Sequence, residues 1–219
     1  MKNFLNKEIK LCLSPVNFIF LSFCCMILIP NYPCYVSFFY LCLSCFFIFN
    51  NAELNKDIQY SMILPITKKD IVKSRCILVA AYQLVGAAFC GILAFISKKY
   101  FPIENKSGIE SNFAFFGLAF ILITIFNFSF FTRFYKKAEK PGTPFFISSI
   151  LFWVFYFIFE LPIWLNTVIS IPYFKIMDSC DKASLIKQLP VFAAGIVIYG
   201  LGWILTYKKS ASNFEKVDL

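Results

Sequence analysis

Six hydrophobic runs divide the chain: Leu11 to Pro30, Pro33 to Phe49, Cys76 to Ser97, Asn112 to Thr132, Pro144 to Trp164 and Leu189 to Tyr207. Each is 17 to 22 residues long and free of charge apart from Glu160 in the fifth. At about 1.5 Å of rise per residue, helices of that length reach roughly 26–33 Å, enough for a hydrocarbon core of about 30 Å. The runs are apolar around the whole helical circumference rather than on one stripe, so they predict six membrane-spanning helices. The first run follows a lysine-bearing start and is read as an uncleaved first helix rather than a secretory signal, since no small-residue cleavage pattern follows Ile29.

Composition agrees with this pattern. Of 219 residues, 59% are hydrophobic and 15% charged, against about 25% charged in soluble domains. Six spans of about 20 residues leave roughly 100 for tails and loops, too few for a soluble catalytic or nucleotide-binding domain. The sequence has no His and no Gly-Lys-Ser/Thr phosphate loop. Imidazole-based catalysis and nucleotide hydrolysis by this chain are therefore excluded, and no catalytic, cofactor-binding or metal-binding residue is expected.

Charge sets the expected orientation. With the N-terminus inside, the inner segments hold 15 of the 21 Lys and Arg residues and the outer ones 6. Both termini are therefore expected on the cytoplasmic side. The net charge of +9 is a topological signal with contacts to anionic lipid, not a nucleic-acid surface. Among nine cysteines, Cys42 and Cys45 have metal-site spacing but no further ligand nearby, so packing is the expectation; Cys34 and Cys180 both map outside.

Residues 50–75 form the most structured connection. Asn50 or Asn51 caps a short helix with Leu54, Ile58 and Met62 on one face. Pro65 ends it, and Thr67 with Asp70 has capping-box spacing for a new helix that enters the third span. Helix, kink, helix admits two readings, a lever pushed by a docked partner or a hairpin lying on lipid headgroups, and the residues alone leave both open.

The run Leu64-Pro65-Ile66-Thr67-Lys68-Lys69-Asp70-Ile71-Val72-Lys73 resembles the signature after the second span of type-2 permeases of ATP-binding cassette (ABC) exporters. The whole chain is similar to the short bacterial members linked to export of amphipathic or antimicrobial peptides. The resemblance implies an all-α polytopic membrane protein formed as one domain over 1–219. It has six transmembrane helices, an interfacial elbow helix over 1–14, a cytoplasmic coupling segment over 50–75 and a re-entrant hairpin within 165–188. Glu53, Asp57, Tyr60, Ser61, Leu64, Pro65, Thr67, Lys68, Asp70 and Lys73 would couple to a separate ABC ATPase, which would carry the ATP and Mg. Phe4, Leu5, Ile9 and Leu13 would form the apolar side of the elbow, with Lys2, Lys7, Glu8 and Lys10 near water. A second permease, identical or related, would complete the pathway in the bacterial plasma membrane.

Glu160 lies near the outer end of the fifth run, where it is either a pathway residue or one that snorkels to the interface. Gln83, Asn127 and Ser129 are expected as interhelical hydrogen-bond partners, and the small-residue face of Ala80, Ala87, Gly91 and Ala94 serves close helix packing or a subunit contact. Two other functions fit six short spans: a substrate-binding component like the vitamin-capturing subunits of energy-coupling importers, and a membrane immunity protein that sequesters a toxic peptide.

Overall fold

The computed structural model describes the backbone of residues 2–63, 66–100, 105, 107–166 and 176–217, and the side chains from Lys7 onward within those ranges except Asn166. It is helical, with no strand among the described residues. The elements are α1 (Lys2–Cys12), α2 (Pro15–Ser22) continued by a 3-10 helix (Phe23–Leu28), α3 (Tyr35–Leu54), α4 (Asp57–Ile63), α5 (Lys68–Tyr100), α6 (Phe113–Phe134), α7 (Gly142–Asn166) and α8 (Lys182–Glu215). Among the described residues, five helices are long and apolar enough to cross a membrane: α3, α5, α6, α7 and α8.

The first run is divided. Where one helix from Leu11 to Pro30 is expected, α1 ends at Cys12 and α2 begins at Pro15. Proline has no N–H and forces the preceding residue into extended backbone, so Ser14 becomes an N-cap (φ −123°, ψ 165°) whose N–H donates to Asn17 Oδ1 at 2.9 Å. Only 14 apolar helical residues follow, Pro15–Leu28. The 3-10 turn rises about 2.0 Å per residue, so this segment extends roughly 24 Å, and with Ile29 in extended backbone it leads from the α1 end of the bundle to the opposite end. Asn17, in its first turn, fixes it by donating to Ser44 Oγ at 2.8 Å, while Tyr82 donates to the Asn17 carbonyl at 2.8 Å.

Packing is aromatic and close. Phe49 of α3 lies 4.7 to 6.1 Å from the ring centroids of Phe130, Phe131, Phe134 and Tyr135. Helices α6 and α8 run parallel with backbones in contact, since a Cβ on Gly195 would sit 2.2 Å from the Gly117 carbonyl oxygen. Small residues permit that approach where lipid offers no hydrophobic drive between helices. In mid-bundle, Gln83 and Asn127 exchange amide hydrogen bonds of 2.9 and 2.8 Å, and Tyr199 donates to Gln83 Oε1 at 3.2 Å. The structure thus pairs Gln83 with Asn127, and it bonds Ser129 to Ser148 at 2.9 Å.

The connections gather at two ends. At one end Asn51 donates to the Cys12 carbonyl, Lys68 to the Val217 carbonyl and Asn213 to the Thr132 carbonyl. At the other, Asn105 donates to the Tyr32 carbonyl, Ser107 to the Asn31 carbonyl and Asn112 to the Met177 carbonyl.

Candidate functional site

The α4 hairpin is made by a sharp corner. Helix α3 runs through Asn50 and Asn51, so neither caps the expected helix. It ends at Leu54 with Asn55 as its C-cap, and Lys56 turns the chain in the left-handed region (φ 51°), which separates Leu54 from Ile58 and Met62 and folds α4 back beside α5. Thr67 and Asp70 then cap α5 reciprocally: Thr67 Oγ1 donates to Asp70 Oδ2 at 2.6 Å, and the Asp70 N–H returns to Thr67 Oγ1 at 3.2 Å.

Behind α4 lies a buried ionic network. Arg75 Nε donates to Glu8 Oε2 at 2.7 Å and Arg75 Nη2 to Asp57 Oδ2 at 2.5 Å. Lys7 Nζ sits 2.7 Å from Asp57 Oδ1 and 3.4 Å from Glu8 Oε1, and it donates to Ser61 Oγ at 2.5 Å. The Arg75 guanidinium lies 5.2 Å from the centroid of the Phe49 ring. Tyr135 closes the site, and burial holds its hydroxyl well above the ordinary tyrosine value although Arg75 opposes this. Two acids and Arg75, from α1, α4 and α5, are thus taken out of water together, with Lys7 at the edge of the cluster and 13% exposed. Carboxylate oxygens of Glu8 and Asp57 and the Cys12 sulfur lie within 4.8 Å of one another, but Arg75 and Lys7 already pair with both carboxylates. The donor set is that of an ion-pair cluster.

This geometry rearranges the sequence expectations. Glu8 was expected near water and is fully buried; a helix-surface pattern of charges in α1 conceals it because its partner lies 67 residues away. Asp57 and Ser61 also turn inward, so they brace the hairpin from behind. Glu53 and Tyr60 are exposed, Tyr60 by 52%, as are Leu54 (73%), Met62 and Ile63 (84%). Leu64 and Pro65 lie outside the described residues. Lys68 is tied to the C-terminal tail, its Nζ 2.6 Å from the Val217 carbonyl and 5.8 Å from the Phe214 ring centroid, while Lys73 is exposed. In α1 the side chains of Phe4 and Leu5 lie outside the described residues, Ile9 is half exposed, and Leu13 follows the helix.

Glu160 is buried at the opposite end, where its Oε2 accepts the Ile109 N–H at 3.0 Å beneath the loop before α6. The supposed re-entrant tract from 165 falls largely on residues 167–175, outside the described residues. Cys34 and Cys180 are both free thiols, one buried and one exposed.

Two cavities accompany these elements. One of about 320 Å³ separates the hairpin from the loop after α6, between Glu53, Lys56, Gln59 and Arg75 on one side and Tyr135 and Lys140 on the other. The second, about 640 Å³, is an apolar groove between α5, α6 and α8, walled by Ala87, Gly91 and Ala94 against Phe116, Phe120 and Phe192.

Five helices long and apolar enough to cross a membrane among the described residues, with a hairpin braced at one end, mark a multi-pass membrane protein. Over residues 3–210 the chain matches the model for the ABC-2 family transporter proteins, and it belongs to that family. No curated protein and no solved structure matches it.

Proposed function

We propose that this chain is the permease subunit of an ABC exporter, driven by a separate ATPase seated on the α4 hairpin. The observation that carries the reading is the exposure of large apolar side chains along residues 53–63. Leu54, Tyr60, Met62 and Ile63 are exposed there beyond the apolar spans, while Asp57 and Ser61 anchor the same hairpin from behind. An apolar edge on a rigid support suits a groove on a partner protein better than water.

In this reading the end that holds α1, the hairpin and the C-terminal tail is cytoplasmic, as the lysine count favours. Residues 15–28 are the first of six crossings, α1 is the elbow, and Glu53, Tyr60, Thr67, Asp70 and Lys73 are the coupling residues nearest the ATPase. ATP and Mg belong to that partner. Two permeases, identical or related, enclose the pathway in a bacterial plasma membrane. The cargo is amphipathic or hydrophobic, probed first as a peptide, because the groove beside Phe116 and Phe120 offers apolar walls with few charges.

The test is capture of a cassette ATPase by the full-length chain purified from its native membrane. Tyr60→Glu and Ile63→Glu each should abolish capture, whereas Lys182→Glu at the opposite end should leave it unchanged. Equal capture by all three variants, or none by the wild-type chain, overturns the coupling role of the hairpin.

A further inference from the structure

Buried charges need a reason. Arg75 is 3% exposed and both of its carboxylate partners are fully covered. Removing such groups from water is costly, and well-packed apolar residues of the same volume often serve stability equally well. A passive loop on the membrane surface would have no use for three of them. What an ionic cluster supplies and an apolar contact does not is direction: each hydrogen bond ties one particular element to another.

The ties here converge on one residue. Arg75 stands in the first turns of α5, its Nε bonded to α1 through Glu8, its Nη2 bonded to α4 through Asp57, and its guanidinium carbon over the Phe49 ring of α3. Lys7 repeats the link from α1 to α4 through Asp57 and Ser61. Beside the cluster, the cavity of about 320 Å³ lies between the hairpin and the loop after α6, so α4 has room on that side to shift without clashing.

We propose that Arg75 is the positioning residue through which the α4 hairpin carries the elbow helix along with the third span, so that α1, α4 and the start of α5 move as one body. The inference rests on the coupling role given to the hairpin above. Guanidinium geometry is what makes this work: two N–H groups at fixed angles hold the two carboxylates in one set orientation, whereas the ammonium of Lys7, which also reaches both acids, is a point charge that turns on its flexible stem.

The experiment uses the full-length chain with the cassette ATPase that copurifies with it. Probes are introduced as non-canonical amino acids at the exposed positions Lys10 on α1, Gln59 on α4 and Lys208 on α8. Distances from Lys208 to Lys10 and from Lys208 to Gln59 are measured without nucleotide and after trapping with ATP and vanadate. In the wild-type chain both distances should shift. A neutral cluster, Lys7→Met with Glu8→Gln, Asp57→Asn and Arg75→Met, leaves no unpaired buried charge; it should still bind the ATPase and keep the Gln59 shift but lose the Lys10 shift. Arg75→Lys, which retains the charge, should at least halve the Lys10 shift with the same ATPase binding. A wild-type Lys10 shift in both variants shows the cluster to be packing and overturns the proposal. Absence of any shift in the wild-type complex, with the ATPase bound, instead removes the coupling reading, and this inference falls with it.

Discussion

Arg75 has a different energetic standing from the lysines around it. Lys69 and Glu215 form a pair 3.0 Å apart with both side chains about half exposed, and such surface pairs contribute little. Arg75→Met alone strands Glu8 and Asp57 as buried charges with only Lys7 left to compensate. We expect a loss of about 3–5 kcal/mol from that change. Thermal unfolding in detergent should show a large fall for the single variant and a much smaller one for the neutral quadruple variant. Lys56 offers the opposite sign. It occupies the left-handed region at φ 51°, which a side chain makes costly and glycine does not. Lys56→Gly should raise stability by about 0.5–1 kcal/mol, and Lys56→Val should lower it, as read from the same melts. The residue types of the cluster were visible in the sequence, but their role was not. Glu8 and Lys7 look like the wet side of an amphipathic helix until the fold brings α5 over them, a contact between positions 67 residues apart that local periodicity does not encode.

At the scale of elements, α6 and α8 depend on glycine in an unequal way. A Cβ on Gly117 would meet the Val191–Phe192 backbone and one on Gly195 the Gly117 backbone, so neither has space, because the obstacle is backbone rather than a movable side chain. Gly195→Ala should push the helices apart and cost about 1–3 kcal/mol, while Gly200→Ala on the same helix, with nothing within 4 Å, should be neutral or slightly stabilising. Comparing the two melts isolates the contact from helix propensity. The Gln83 and Asn127 pair gives a third element-scale expectation: Gln83→Leu leaves an amide of Asn127 unmatched between α5 and α6 and should cost about 1 kcal/mol. Spans α3, α5, α6, α7 and α8 were legible as apolar runs because lipid demands them. The division at Ser14-Pro15 was written in the residues too, yet a hydropathy run overrides a turn signal when both are read in one window. The lengths of α5 and α8, 33 and 34 residues, exceed the apolar runs because their ends are held by protein, including Lys98 with Glu110 at one end and Lys68 with Val217 at the other.

For the whole molecule, the two ends differ in what they bring together. Residues 2–14, the α4 hairpin, the loop after α6 and the end of α8 share one end, and the segments before α3, before α6 and before α8 share the other. Alternation between the ends follows from the number of passes, so a single accessible position fixes the orientation of the rest. Cysteine supplies the marker. Seven of the nine thiols are buried, Cys25 lies in the apolar 3-10 helix, and Cys180 is exposed just before α8. A membrane-impermeant maleimide applied to intact cells should therefore modify the wild-type chain at Cys180, and Cys180→Ser should remove the signal. Lys209→Cys, introduced on that background at the exposed lysine near the other end of α8, should react only after the membrane is permeabilised. The reverse result, with Lys209→Cys labelled in intact cells and Cys180 protected, would place the hairpin outside, where no ATP-driven partner could reach it.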